Sequence, residues 1–480
     1  MTGWRSSIKA HYRILLAIAV FALISAAWVG YRRWSAAYSA AQAELDREIA
    51  RIKSRREPAW FRDCQPLLLP TKENAAPLIQ AARGAYVKPP QEFWQLSGRE
   101  EGPPPPPGDY ALFRAALTDN QPALAVMRQA LARPKCQFSY DYRTDQPWAI
   151  LLRDVDMIGQ FSWLLRTDVL QSLGTGNPDR AIAATDEQLD LARLLESEPF
   201  IVSHMVLHRV ARQGIDSLQD VLARRQLDER RFAVLDRRLM RLQSTAKLER
   251  VVLTERAISL STMQSVGSPG FRTDVLDFEP ARKGGSGPAS SNELDRYALR
   301  IKNEVKNRGW ASAAYRPWLM RNQVFVLRTL ADFAETVDQL GPEGAAAFTR
   351  MNDALQAQVS NFPVAELFLG EPQRVLSLER VRRSGLWHRQ RLIIARLAIR
   401  LARYHSVHKR YPEELAHVAG DMDARALKDL FTAAPLVYRS REDGFMLVAL
   451  NERGEDDRGI RPAEEVNMGA RFEVRRINQQ

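Results

Sequence analysis

The chain opens on an apolar run and then changes to a long alternation of apolar and polar positions. Residues 14–29 (ILLAIAVFALISAAWV) contain no charged side chain. A helix rises about 1.5 Å per residue and needs roughly 17–25 mostly apolar residues to cross the bilayer core. With Tyr31 included, the run reaches the short end of that range. The pattern therefore predicts a membrane-spanning helix over residues 14–31.

Two other structures are compatible with the same run. A cleaved signal peptide would use the small residues Ser25-Ala26-Ala27 as its cleavage site, and a buried core helix would also be apolar. We expect an uncleaved anchor, because the helical pattern continues through residues 35–56 as a stalk. Trp28, Tyr31 and Trp34 also lie where interfacial aromatic side chains are expected.

Helical periodicity dominates the middle of the chain. Asn177-Pro178 is typical of a helix start, with Asn as the N-cap and Pro at the first helical position. Short connections between the helices imply antiparallel neighbours in a bundle or an irregular α-solenoid. The pattern predicts helices over residues 110–133, 147–173, 177–198, 199–225, 227 to beyond 258, 292–308, 318–340, 342–358 and 376–408.

Proline, glycine and serine interrupt this pattern and suggest the domain boundaries. Asp443-Gly444 between two apolar runs is a hairpin signal, so strands are expected at residues 436–438 and 445–450, with a third at 471–474. The fold class expected is mainly α with a small α+β C-terminus. The predicted units are a tail and anchor (1–34), a stalk helix and Pro-rich irregular segment (35–109), a helical domain (110–265), a Gly/Pro/Ser-rich linker (266–291), a second helical region (292–410) and the C-terminal segment (411–480).

Composition limits the partners and the chemistry. The 480 residues carry a net charge of +12, and 45% of them are hydrophobic. The hydrophobic fraction is enough for hydrophobic cores, and the positive charge favours anionic partners. If the body is exported, nucleic acid is not an expected partner. Cys64 and Cys136 are the two cysteines, and a disulfide and two unpaired thiols both remain open.

The strongest charge feature is a row of arginines in the predicted helix 376–408 and just beyond it. Basic residues at seven-residue spacing share a helix face. They suggest a surface for anionic lipid, an acidic polymer or an acidic protein partner, while a solvated face paired with acids elsewhere is the alternative. The row consists of Arg382, Arg389, Arg396, Arg403 and Arg410.

No motif in the chain predicts catalysis or a cofactor. His204 and His208 have the spacing of helical metal ligands, but the stretch is apolar and we expect structural histidines. Basic neighbours argue against a metal at His405 and His408. Gly174-Thr175-Gly176 is expected to end a helix rather than to bind phosphate. We therefore expect a protein that is not an enzyme, and we assign no cofactor and no metal ligands.

The C-terminal segment resembles the end of type II secretion major pseudopilins, in which a long helix is followed by a YP-x-x-L turn, a D-P-F/W-G-x-P-Y-x-Y segment and a Gly/Asp-rich close. The matching residues are 411–415 (YPEEL), 429–438 (DLFTAAPLVY) and 454–459 (GEDDRG). Some pseudopilins bind calcium in the closing loop, so the resemblance offers Glu455, Asp456 and Asp457 as oxygen ligands. An acidic surface turn is the alternative. The chain departs from the family because its anchor is not joined directly to this segment.

Residues 176–199, with Ala181, Leu191-Ala192, Leu195 and Glu198, are similar to a segment of uncharacterised bacterial single-pass membrane-anchored helical proteins. That resemblance implies the bacterial inner membrane, and the basic residues before the span favour a cytoplasmic N-terminus and a periplasmic body. We expect a structural or interaction protein of the cell envelope. The alternatives are a component of a type II secretion or pilus-like assembly, and an envelope hydrolase or metal enzyme with a non-contiguous site.

Overall fold

The computed structural model describes residues 2–97, 109–144, 147, 150, 152–224, 227–245, 247–266, 315–359, 361, 378–442, 444–449 and 471–475. Helix dominates these residues and a small antiparallel sheet lies near the C-terminus, as the sequence predicts. The helices are α1 (Thr2–Ser54), α2 (Ala76–Gly84), α3 (Gln91–Ser97), α4 (Asp109–Asp119), α5 (Gln121–Leu131), α6 (Arg153–Gly174), α7 (Pro178–Leu194), α8 (Ile201–Arg224), α9 (Glu229–Thr245), α10 (Glu249–Val266), α11 (Arg316–Thr336), α12 (Gly341–Val359), α13 (Leu378–His408) and α14 (Ala416–Ala419).

Two helix ends contain the capping residues that the sequence predicts. Asn177 caps α7, and its side-chain oxygen accepts a hydrogen bond from the Arg180 backbone N–H at 3.2 Å. After α6, Gly176 has a φ of +75°, a left-handed conformation that favours glycine at a helix C-terminus. Gly174-Thr175-Gly176 is therefore a helix end, as expected.

Two helices that the periodicity predicts as continuous are broken in the structure. Residues 110–133 form α4 and α5, which separate at Asn120. Pro122 follows in the first turn of α5, where its missing N–H costs nothing. The buried Asn120 amide hydrogen-bonds both the N–H and the C=O of Val87, at 3.0 and 2.8 Å. The break is fixed by this long-range contact, which periodicity alone does not show.

The second break divides residues 229–266 into α9 and α10. The start of α10 is capped by Asp338, which precedes α12, because its Oδ2 accepts from the backbone N–H groups of Leu248 and Glu249 at 2.9 and 3.0 Å. The segment predicted as irregular also contains the short helices α2 and α3. Val266, the first residue of the predicted linker 266–291, ends α10. The rest of that linker, the predicted helix 292–308 and the prolines at 103–107 lie outside the described residues.

The hydrophobic core joins parts of the chain that the sequence assigns to separate units. Its largest cluster contains buried side chains from Ala75 to Val474. Helix α13 runs through it, and residues 392–399 of that helix are all buried. A second cluster joins α10, α11 and α12 to the first turn of α13.

The C-terminal sheet has three antiparallel strands in the order β1 (Val437–Arg441), β2 (Gly444–Val448) and β3 (Arg471–Arg475). The hairpin predicted between residues 436–438 and 445–450 is confirmed, with Val437 opposite Val448. The predicted third strand pairs with β2, so that Phe445 lies opposite Val474. The sheet packs against α8 and α13.

Candidate functional site

Helix α1 joins an exposed apolar segment to the body without a break. From Leu16 to Tyr31 its large apolar side chains are exposed, for example Phe21 at 72%. By length and composition this helix is apolar enough to cross a membrane, and none of its apolar window is buried. A signal sequence near an N-terminus passes the same test. Among the described residues no part of the body covers these apolar side chains, which does not fit a buried core helix.

The second half of α1 is attached to the body along one seam. Its buried positions are Ala41, Leu45, Glu48 and Ile52, and spacings of four and three residues put them on one helix face. Leu45 and Ile52 belong to a cluster with α10 and α11 side chains. Fully burying a leucine or isoleucine contributes roughly 1.5–3 kcal/mol. The predicted stalk is therefore held against the body.

Ion pairs along the same seam show the direction in which α11 runs relative to α1. The Arg328 guanidinium contacts Glu44 at 3.0 Å and Glu48 at 2.9 Å, and Arg55 contacts Glu335 at 3.2 Å. Contacts on α11 advance toward its C-terminus as those on α1 do, so the two helices run parallel. The pairs are partly exposed and contribute little stability, but they fix the register.

A cleft of about 570 Å³ opens beside this seam, between α1, α11 and α12. Arg321, Arg328 and Asp332 contribute charged side chains, and Phe325 and Met351 contribute apolar ones. The lining therefore combines both signs of charge with apolar surface.

The predicted arginine row does not form one open face. Arg382 and Arg396 are buried. Arg389 contacts Asp338 at 2.9 Å, and Arg403 donates to Glu229 at 2.8 Å. A row at seven-residue spacing drifts by roughly 20° per step around a helix, so a helix packed on several sides covers some of its members. Arg410 is exposed. Polyanion or partner binding by the row stays a prediction, with Arg403 and Arg410 nearest the surface.

Arg396 lies at the centre of a charge network. Its Nε contacts Asp236 at 2.7 Å, and Nη1 donates to Gln243 at 3.0 Å. Arg400, one turn later, contacts the same Asp236 at 3.2 Å and the exposed Asp421 at 2.7 Å. The Asp236 carboxylate of α9 therefore forms ion pairs with two arginines of α13.

A carboxyl–histidine cluster lies around the start of α8. Its members Glu198, His204 and His388 are buried, and Glu255 and His208 are half-buried. Tyr140 donates to Glu198 at 2.8 Å and Ser203 donates to the same oxygen at 3.1 Å. The His204 ring donates from Nε2 to the Glu198 carbonyl at 3.0 Å. The His208 and His388 rings stack with centroids 4.3 Å apart.

Burial sets the protonation of this cluster. It raises the pKa of Glu198 to about 7, although the hydrogen bonds from Tyr140 and Ser203 oppose the shift. The pKa of Glu255 is likewise raised to about 7. Burial lowers the pKa of His204 to about 4 and that of His388 to about 3. At neutral pH the histidines are therefore neutral. The two carboxyl groups are near their pKa, so a fall in pH protonates them.

We expect Glu198→Gln to change how stability depends on pH. The pKa of Glu198 is higher in the folded than in the unfolded state, so below about pH 4.5 the protonated side chain contributes its full stabilisation to wild type. This contribution is lost as the pH rises through 7. The stability of the variant relative to wild type should therefore improve by roughly 2–3 kcal/mol between pH 5 and pH 8. Urea unfolding of both proteins across that range measures the difference.

Glu92→Gln, at an exposed site on α3, is the matched control for loss of one carboxyl. A constant difference between wild type and Glu198→Gln at every pH would show that Glu198 does not titrate in this window. The structural role predicted for His204 and His208 stays a prediction; His204 is buried and His208 is half-buried. Sequence analysis did not find Glu255 or His388, because their proximity to α8 comes from α10 and α13.

The two cysteines, His405 and the acidic residues near the C-terminus are further features that the sequence singles out. Cys64 and Cys136 are free thiols, and burial raises the pKa of both, that of Cys64 to about 12. His405 packs on Tyr411 with ring centroids 4.5 Å apart. Among the described residues no three His, Cys, Asp or Glu side chains, those of the carboxyl–histidine cluster included, are arranged so that they could hold a metal ion. Glu455, Asp456 and Asp457 lie outside the described residues, so calcium binding there stays a prediction.

The described residues that carry the pseudopilin resemblance, 411–415 and 429–438, are joined by hydrogen bonds and packing. The Tyr438 hydroxyl donates to the Pro412 carbonyl at 2.8 Å, which ties β1 to the YP turn. Asp429 is buried, and its Oδ1 accepts from the Phe431 and Thr432 N–H groups, both at 2.8 Å. Comparisons of the chain with family models, curated proteins and solved structures return no match. Both resemblances therefore rest on the residues quoted for them.

Proposed function

We propose that this chain is a single-pass membrane-anchored protein of the bacterial cell envelope, with a structural or interaction role. In this proposal residues 14–31 cross the inner membrane, the N-terminus is cytoplasmic and the helical body is periplasmic. The carrying observation is that α1 continues from exposed apolar side chains straight into the seam with α11. A helix packed against the body holds that body close to the membrane, as a scaffold requires.

The anchored scaffold is preferred to a secretion component because of how the sheet packs. In pseudopilins the anchor helix is attached directly to the small C-terminal domain. Within the described part of this chain, α1 packs chiefly against α11, whereas the sheet packs against α8 and α13. The anchor and the pseudopilin-like segment therefore occupy different parts of the body.

Protease accessibility tests the topology. In intact cells we expect the body to resist added protease, and after osmotic opening of the outer membrane we expect its digestion, with a short N-terminal fragment protected. Digestion only after detergent would place the body in the cytoplasm. N-terminal sequencing of the mature protein separates anchor from signal, because a start after Ala27 would show cleavage.

A further inference from the structure

The parallel packing of α1 and α11 fixes where α11 begins relative to the membrane. Arg328 donates to Glu48, and Arg55 donates to Glu335, and both contacts join residues 280 positions apart. Arg328 also contacts Glu44, which is 284 positions earlier, so each α11 residue lies level with the α1 residue about 280–284 positions before it. Tyr315, just before α11, is thus level with α1 residues 31–35, and Trp318 is level with residues 34–38.

This level is close to the predicted end of the membrane span. Ser35 follows Tyr31 by four residues, or about 6 Å of helix rise. The polar layer of a bilayer adds roughly 5–8 Å to each side of its hydrocarbon core. The start of α11 therefore falls at headgroup depth when residues 14–31 span the core.

The side chains at this level are those expected at a membrane interface. On α1, Trp34 stacks between Tyr31 and Tyr38, with ring centroids 6.3 and 5.4 Å away. On the α11 side, the Tyr315 and Trp318 rings are 6.5 Å apart. Tyr315 is 43% exposed despite its size. The two helices place aromatic side chains side by side at one depth.

Positive charge accompanies these aromatic groups. Arg32 and Arg33 follow the span on α1, and the Arg32 guanidinium lies 4.6 Å from the Trp28 ring centroid. Arg316 lies in the first turn of α11 and the exposed Arg321 lies about one turn later. Basic side chains at headgroup depth are attracted to anionic lipid.

We propose that Tyr315, Arg316, Trp318 and Arg321, together with Trp34 and Tyr38, form a second membrane contact that binds the anionic phospholipid headgroups of the bilayer holding α1. This rests on the proposed membrane anchorage. The anchor and α11 then touch the same leaflet at two places, so the body has a defined orientation to the membrane surface rather than rotating about a single stalk.

Lipid retention by the full-length protein in detergent tests this contact. Native mass spectrometry would compare binding of phosphatidylglycerol and phosphatidylcholine to wild type and to Arg316→Gln/Arg321→Gln. We expect wild type to prefer phosphatidylglycerol and the variant to bind it roughly tenfold more weakly, with phosphatidylcholine binding unchanged. Arg32→Gln/Arg33→Gln should remove a further part of the preference.

The matched control is Arg230→Gln/Arg237→Gln, which removes two exposed arginines of α9 on another part of the body. It should bind phosphatidylglycerol as wild type does. Equal phosphatidylglycerol binding by wild type and Arg316→Gln/Arg321→Gln would overturn the contact while leaving the anchor intact. A chain that stays dispersed without detergent and retains neither lipid would instead overturn the anchorage itself.

Discussion

Replacing Asp236 with alanine is expected to lower the free energy of unfolding by about 3–5 kcal/mol. The change removes the carboxylate that Arg396 and Arg400 share, at 2.7 and 3.2 Å. The two guanidinium groups would then face each other one turn apart, with side chains only 8% and 14% exposed. Removing one partner of a buried ion pair leaves an uncompensated charge, which costs more than the pair itself contributes. Chemical denaturation measures the loss.

Asp421→Ala is the matched control, because Asp421 also pairs with Arg400 but its side chain is 80% exposed. An exposed ion pair is screened by water and contributes little to stability, so this variant should remain near wild-type stability. Similar losses for both variants would argue against a buried network around Arg396. The comparison also bears on the arginine row, since a residue needed for folding cannot be tested for partner binding by simple removal.

Placing two arginines in the span, as Leu23→Arg/Ile24→Arg, should move the protein out of the membrane fraction. An arginine at the centre of a membrane helix costs roughly 2.5–3.5 kcal/mol for insertion, so two cost about 5–7 kcal/mol. The body should keep its stability, because Leu23 and Ile24 are 70% and 62% exposed and touch no core. Carbonate extraction and thermal unfolding measure the two effects separately.

The body supplies a control of the same chemistry. Leu67 and Leu68 are 93% and 88% exposed, so Leu67→Arg/Leu68→Arg adds the same charges away from the span. That variant should stay in the membrane fraction. Continued membrane association of Leu23→Arg/Ile24→Arg would mean that residues 14–31 are not what holds this chain to lipid.

The elements of this fold were largely predictable, and their interruptions were not. Asn177 and Pro178 begin α7 where capping chemistry puts a helix start, and the apolar runs on either side of residues 441–444 pair as a hairpin. These signals act between residues close in sequence. The breaks at Asn120 and before α10 depend on Val87 and Asp338, which lie far away along the chain.

In the candidate sites, too, the sequence shows the spacing of the residues, and only the folded chain shows their contacts and burial. The arginine spacing in α13 was evident from the sequence, but the burial of Arg382 and Arg396 was not. The histidine pair at positions 204 and 208 was evident, whereas its contact with His388 and the burial of Glu198 required the folded chain. A charged or titratable residue takes its properties from whatever packs around it.

By itself the sequence determined that an apolar helix precedes a mainly helical body and that a small antiparallel sheet follows. Hydrophobic periodicity and capping are local, so they can be read without knowing the fold. The folded chain was needed to show which charges are buried and which α1 residues lie beside α11. Asp236 and Arg396 are 160 positions apart, and no local pattern encodes a contact over that separation.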